Sequence, residues 1–225
     1  KVYNSRWILE RATRDHPQRV DVDAIKESCR VLAEQMKSIA ACDDLEVLRG
    51  LEGSASERYF SHLDQLILID DEQFRFENRN RRPPMDRVNA MLSFLYALLS
   101  NACAGALQQA GLDPYVGFLH RDRPGRISLA LDLMEEFRGL FCDRLALTMI
   151  NTRVISAKDF DIKENGAVFL NDSGRKAVIN AWQTRKQEMI LHPYLNEKIP
   201  WGLAPHVQAV LLARYLRGDL DAYPP

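Results

Sequence analysis

Apolar side chains recur along most of this chain at intervals of three and four residues, the spacing of amphipathic helices. Tyr3, Trp7, Leu9 and Ala12 among polar neighbours predict a helix over 2–15, ending before Pro17. A second helix is predicted over 22–41. Leu45, Leu48, Ala55, Tyr59, Leu63 and Leu66 mark the apolar face of a third, over 45–69. Asp43 and Asp44 suit its N-terminus, where capping and the helix dipole favour acids. Asp86 is the expected N-cap of a helix that stops at Gly111. This helix carries no charge from Val88 to Leu112, long enough on length alone to cross a membrane. Its Asn89, Ser93, Ser100, Asn101, Gln108 and Gln109, with many alanines, mark it instead as the buried centre of a helical bundle. A helix over 127–150 shows Ala130, Leu133, Met134, Phe137, Leu140 and Phe141 on one side and Asp132, Glu135 and Glu136 on the other. Residues 158–170 break the helical period around Asn165-Gly166, the signal of a β-hairpin. Helices over 171–191 and 204–216 complete the pattern. The expected fold is all-α, mainly helical, with one small β-hairpin.

Composition narrows this picture. The chain has 225 residues, 46% of them hydrophobic, enough for one or two cores. A net charge of −1 provides no overall basic field, so any nucleic-acid role must rest on local patches. The four cysteines have no metal spacing, and three sit among apolar neighbours in helical patterns. They read as reduced core thiols, which suits a cytoplasmic protein. The chain has no initiator Met and opens inside a helical pattern, so an N-terminal portion is expected to be missing.

Glu52 is the first candidate for chemistry. In Gly50-Leu51-Glu52-Gly53 it falls near the middle of an apolar helix face, where a bare carboxylate costs several kcal/mol unless it is paired or metal-bound. Pairing with Arg49 or Arg58 is one solution. Ligation beside His120, Asp132 and Glu135 is the other, since imidazole and carboxylates suit Mn²⁺ or Mg²⁺. Two arginine clusters flank these residues in sequence. One holds Arg75, Arg79, Arg81, Arg82 and Arg87; the other holds Arg121, Arg123 and Arg126. Guanidinium groups suit phosphate, so the clusters point to a polyanionic backbone held beside a metal. There is no Walker loop, no GxSxG and no ExxH pair. A helical DNA- or protein-binding scaffold without a working site is the alternative reading.

Four motifs occur in order: Gly50-Leu51-Glu52-Gly53-Ser54, Arg82-Pro83-Pro84-Met85-Asp86-Arg87-Val88-Asn89-Ala90, Gly117-Phe118-Leu119-His120, and Ser128 to Arg138. Together they resemble the C-terminal helical domain of the CRISPR-associated integrase/endonuclease of spacer acquisition. His192-Pro193-Tyr194-Leu195 and Gln208 to Arg214 resemble its subtype I-C branch. The resemblance covers essentially the whole chain. It implies an interdomain helix over 1–20 and a catalytic domain over 21–225, with the family's N-terminal β-rich domain absent. It implies a Mn²⁺ or Mg²⁺ ion held by Glu52, His120 and Glu135, supported by Asp132, and a Tyr96 near the DNA. Arg79, Arg81, Arg82, Arg121, Arg123 and Arg126 are the expected DNA contacts. The implied reaction joins a prespacer 3′-hydroxyl to a CRISPR repeat phosphodiester. The implied partners are that DNA, a small ferredoxin-like CRISPR-associated protein, and a second copy in the full-length protein.

Overall fold

The computed structural model describes residues 1–224. Eight helices carry the architecture: α1 Val2–Asp15, α2 Val22–Ala40, α3 Leu45–Phe60, α4 Arg87–Gln109, α5 Ser128–Met134, α6 Arg144–Asn151, α7 Asp172–Gln187 and α8 Ala204–Leu216. Side chains fix the starts of four of them. Asp21, Asp44, Asp86 and Asn171 accept hydrogen bonds from the first free backbone N–H groups of α2, α3, α4 and α7. Each such cap contributes about 1 kcal/mol.

α4 is the central helix. Met91, Leu92, Leu95, Leu99, Cys103 and Leu107 are buried along it, and it packs against α5, α8 and the first hairpin. It is long and apolar enough to span a bilayer by composition, but here its apolar surface is the bundle core. α1 packs on α2 and α3, and its Ile8, Leu9 and Ala12 join the same core. Cys29, Cys103 and Cys142 are buried free thiols, as their apolar surroundings lead one to expect.

The predicted hairpin forms: β1 Phe160–Ile162 pairs antiparallel with β2 Val168–Leu170. Gly166 takes a φ of +81° in its turn, a conformation that favours glycine. The Val168 N–H also donates to the Pro84 carbonyl at 2.9 Å, so the hairpin pins the arginine-bearing connector.

Four expectations need correction. The helix over 127–150 is not continuous. α5 ends at Met134, and a π-helical turn over Arg138–Asp143 precedes α6. The turn lies against α1 and directs Arg138 and Asp143 inward. Glu136, expected on a polar face, bonds to Gln208 and Tyr223 within the packed structure. The third helix ends at Phe60, followed by a 3₁₀ turn over Leu63–Leu66, because the buried His62 bonds to Ser28 across the bundle at 2.7 Å. The helix expected to reach Leu191 ends at Gln187. A second hairpin follows, β3 Met189–His192 with β4 Glu197–Pro200. Asn196 closes its turn with a φ of +54°.

Candidate active site

Asp132 organises the region around His120. Its carboxylate accepts the backbone N–H groups of Phe118 (2.6 Å), Leu119 (3.0 Å) and His120 (2.9 Å). It also meets His120 Nδ1 at 2.6 Å. Burial opposes its charge, but the imidazole and the three N–H groups together hold it below the ordinary carboxylate range. Gly117 permits this wrap: a Cβ there would lie 2.7 Å from Ser128 Cβ and 2.9 Å from the His120 carbonyl oxygen. With Nδ1 engaged by Asp132, Nε2 is the nitrogen left for a ligand.

Glu52 does not lie in the core. Only Ala55, Tyr59 and Phe60 of α3 are buried, and Leu45 and Val47 are exposed. The first half of the helix therefore lacks the apolar cover that its sequence suggests. A Cβ on Gly50 or Gly53 would meet nothing within 4 Å. The Glu52 side chain keeps 30% of its exposure and faces a cavity of about 230 Å³ lined by Arg49, Leu119, His120, Arg121, Arg123 and Arg126. Its partner is neither Arg49 nor Arg58 but the ammonium of Lys1. Arg49 instead donates to the Leu119 carbonyl at 2.6 Å and pairs with Glu46, which also pairs with Arg121. These bonds tie α3 to the His120 loop.

The same Lys1 ammonium approaches Glu135 Oε2 at 2.8 Å. Glu52 and Glu135, 83 residues apart, thus share one cationic position. Burial of Glu135 opposes its charge, but Arg138 and Lys1 overcome this and bring its pKa to about 2. Arg138 pairs with the other Glu135 oxygen and stacks on Tyr96, 4.3 Å from the ring centroid. The Tyr96 hydroxyl donates to the buried Asp143, whose carboxyl burial shifts upward. A layer of Arg138, Tyr96 and Asp143 therefore lies beneath Glu135.

With the side chains as they stand, no three His, Cys, Asp or Glu groups among the described residues are close enough to ligate one ion. The donor chemistry nonetheless fits a hard divalent cation. Two carboxylates converge on one cation, and an imidazole lines the same cavity as one of them. Glu135 Oε2 is buried without a hydrogen bond, because its contact with Lys1 lacks hydrogen-bond geometry.

Arg81 and Arg82 of the first arginine cluster lie within electrostatic range of the second. Arg121, Arg123 and Arg126 line the cavity. Burial first, then the charges of Arg123, Arg81 and Arg82, lowers the pKa of Arg126, which puts Arg81 and Arg82 in its field. Two expected contacts do not belong to that surface. Tyr96 is 8% exposed, with its hydroxyl turned to Asp143, so it supports the site from below. Arg79 is spent internally on the Asn80 carbonyl, Asn89 and Ser93, and lies over Tyr96. Lys1, Arg138 and Asp143 were given no role from the sequence, and Arg49 was considered only as a partner of Glu52. Arg138 stands one helical turn after Glu135, a spacing that could have revealed it; Lys1 left no such signal.

A family model described as CRISPR associated protein Cas1 matches residues 1–184. The CRISPR-associated endonuclease Cas1 1 of Chlorobaculum tepidum is 53% identical over all of this chain. The chain spans 66% of that relative's length. Among solved structures, a casposase bound to integration product matches 98% of this chain and 59% of its own, at 25% identity and a TM-score of 0.81. A Cas6-RT-Cas1–Cas2 complex matches 99% of this chain and 23% of its own, at 25% identity and a TM-score of 0.80.

Proposed function

The chain belongs to the Cas1 family of CRISPR-associated proteins, and from that premise we propose that it forms the catalytic part of a metal-dependent DNA endonuclease and integrase. The observation that carries this reading is the convergence of Glu52 and Glu135 on one cation position beside His120 and the arginine-lined cavity. In the proposed reaction a prespacer 3′-hydroxyl attacks a repeat phosphodiester. A new P–O bond forms, the old one breaks, and the flanking strand leaves with a 3′-hydroxyl, its oxygen taking up a proton as the attacking hydroxyl loses one. Water in place of that hydroxyl gives simple cleavage.

Glu52, Glu135 and His120 Nε2 would hold a Mn²⁺ or Mg²⁺ ion. Such an ion supplies Lewis acidity at the phosphoryl oxygens and favours an ionised nucleophile. The protein's own residues prepare that position. Asp132 fixes the His120 ring and its tautomer. Arg138 keeps Glu135 ionised and aimed. Arg121, Arg123 and Arg126, with Arg81 and Arg82 nearby, hold the phosphate backbone in register. The proposed partners are prespacer and repeat DNA, the small ferredoxin-like CRISPR-associated protein and a second copy of the full-length protein. Placement within subtype I-C, the division into an interdomain helix over 1–20 and a catalytic domain over 21–225, and a cytoplasmic site of action belong to the same proposal.

A helical DNA-binding scaffold is the second reading, favoured by Lys1 neutralising both glutamates. Strand transfer and cleavage of a branched DNA, with and without Mn²⁺, separate the two. We expect Mn²⁺-dependent products that fall at least a hundredfold in His120→Ala, the scale on which loss of a metal-site group acts. Equal activity in His120→Ala would overturn the ligand assignment. DNA binding without any metal-dependent product would favour the scaffold.

A further inference from the structure

Two motifs, His192-Pro193-Tyr194-Leu195 and Gln208 to Arg214, lie outside the cavity and have no part in the proposed reaction. The fold joins their first residues. His192 and Gln208 are both buried, and His192 Nε2 lies 3.1 Å from Gln208 Oε1. The Leu195 N–H donates to His192 Nδ1 at 3.3 Å, so the ring proton sits on Nε2 and is donated to the amide oxygen. That bond fixes which way the Gln208 amide faces. Its NH₂ then donates to Glu136 Oε2 at 2.7 Å, with the Tyr223 hydroxyl and the Pro224 carbonyl each at 3.0 Å.

The Tyr223 hydroxyl donates to the other Glu136 oxygen. The Glu136 N–H donates to the Leu133 carbonyl at 3.3 Å, and the Glu136 carbonyl accepts the Asn4 side chain at 2.9 Å. Every polar atom of Glu136 is thus engaged. An apolar side chain could pack there with no charge to desolvate. What the carboxylate adds is a fixed backbone beside Glu135. Glu135 stands at the break between α5 and the π turn, where no continuous helix sets its direction. A displacement of about 1 Å in a site can reduce a rate about a hundredfold, so the direction matters.

We infer that Glu136, Gln208 and Tyr223 are positioning residues: they clamp the end of α5 so that the Glu135 carboxylate points at the cation position it shares with Glu52. This role rests on the proposed catalytic reading and adds to it a polar support built from α8 and the segment after it.

The test uses the 225-residue chain. Tyr223→Phe removes one donor and keeps the ring. Gln208→Glu sets a second carboxylate against Glu136. Adding Glu136→Gln removes that repulsion and restores the bond with donor and acceptor exchanged. Metal-free crystal structures show where Glu135 stands, and the electron paramagnetic resonance of free Mn²⁺ measures affinity. Tyr223→Phe and Gln208→Glu should each draw Glu135 away from Lys1 and weaken Mn²⁺ binding about tenfold, the scale on which groups behind a metal ligand act. The double variant, Gln208→Glu with Glu136→Gln, should recover both. Lower thermal stability with Glu135 unmoved and Mn²⁺ affinity unchanged would show a merely structural network and overturn the inference. So would a displaced Glu135 with wild-type affinity. Displacement of Glu135 in the variants, with a wild type that binds no Mn²⁺ or whose binding survives Glu135→Gln, would sink the metal reading and leave the clamp standing.

Discussion

Asp132 shows how much a single carboxylate can do here. It accepts three consecutive backbone N–H groups and the Nδ1 side of His120. Asparagine has almost the same shape but replaces one acceptor with an NH₂ donor, which would face N–H groups. Asp132→Asn should therefore destabilise the chain by about 2–4 kcal/mol, measured by urea unfolding, as a charged acceptor is lost and a buried N–H is left unpaired. An unchanged unfolding midpoint would show that the loop does not depend on this carboxylate. Glu52 and Tyr96 mark the limit of reading residues from periodicity. Helical spacing placed Glu52 in the core, yet the residues beside it, Leu45 and Val47, are exposed. Spacing says which residues share a face, and only the neighbouring elements decide whether that face is covered. Tyr96 falls on the all-round apolar α4, where the sequence has no means of separating a buried hydroxyl from a DNA contact.

At the scale of elements, most helices were legible from their apolar spacing, and Asp44, Asp86 and Asn171 also announce the starts of α3, α4 and α7. The hairpin around Asn165-Gly166 was equally plain. The π turn over Arg138–Asp143 was not, because its cause lies outside its own sequence: Gly139 comes so close to α1 that a Cβ there would sit 3.1 Å from Ile8 Cδ1. The β3–β4 hairpin was missed because Met189-Ile190-Leu191 also fits a helical face, and the positive φ of Asn196 is seen only in the fold. Glycines separate two kinds of element. Gly53 lies within α3 with open space around it, and Gly117 lies in a loop without any. Gly53→Ala should raise stability by about 0.5–1 kcal/mol through helix propensity. Gly117→Ala should lower it by about 1–3 kcal/mol through overpacking. Paired urea titrations check the opposite signs, and a shared sign would contradict the packing described.

For the whole molecule, charge is distributed rather than abundant. A net charge of −1 coexists with a cavity lined by Arg49, Arg121, Arg123 and Arg126, with Arg81 and Arg82 within range of Arg126's field. DNA affinity should therefore fall steeply with salt despite the nearly neutral total. The slope of log K against log salt should shrink by roughly 0.9 in Arg123→Gln if that side chain holds one duplex phosphate. Binding titrations at several salt concentrations measure it, and an unchanged slope would remove Arg123 from the contact surface. The sequence showed that two basic clusters exist, but that only Arg81 and Arg82 of the first come near the second required the fold.

Glu136 gives the site a place in time. Its carboxylate is held by Gln208 and by the Tyr223 hydroxyl, 72 and 87 residues further along the chain. Immediately before it, Glu135 reaches back to Lys1, and the Asn4 side chain donates to the Glu136 carbonyl across 132 residues. Contacts of such separation form late, since the loops between them must close first. During synthesis the turn that aims Glu135 stays without its full set of partners until residue 223 has left the ribosome. A nascent chain would thus carry every acidic group of the centre long before it could hold them in place, and the proposed DNA-cutting activity would mature only as translation of this segment ends.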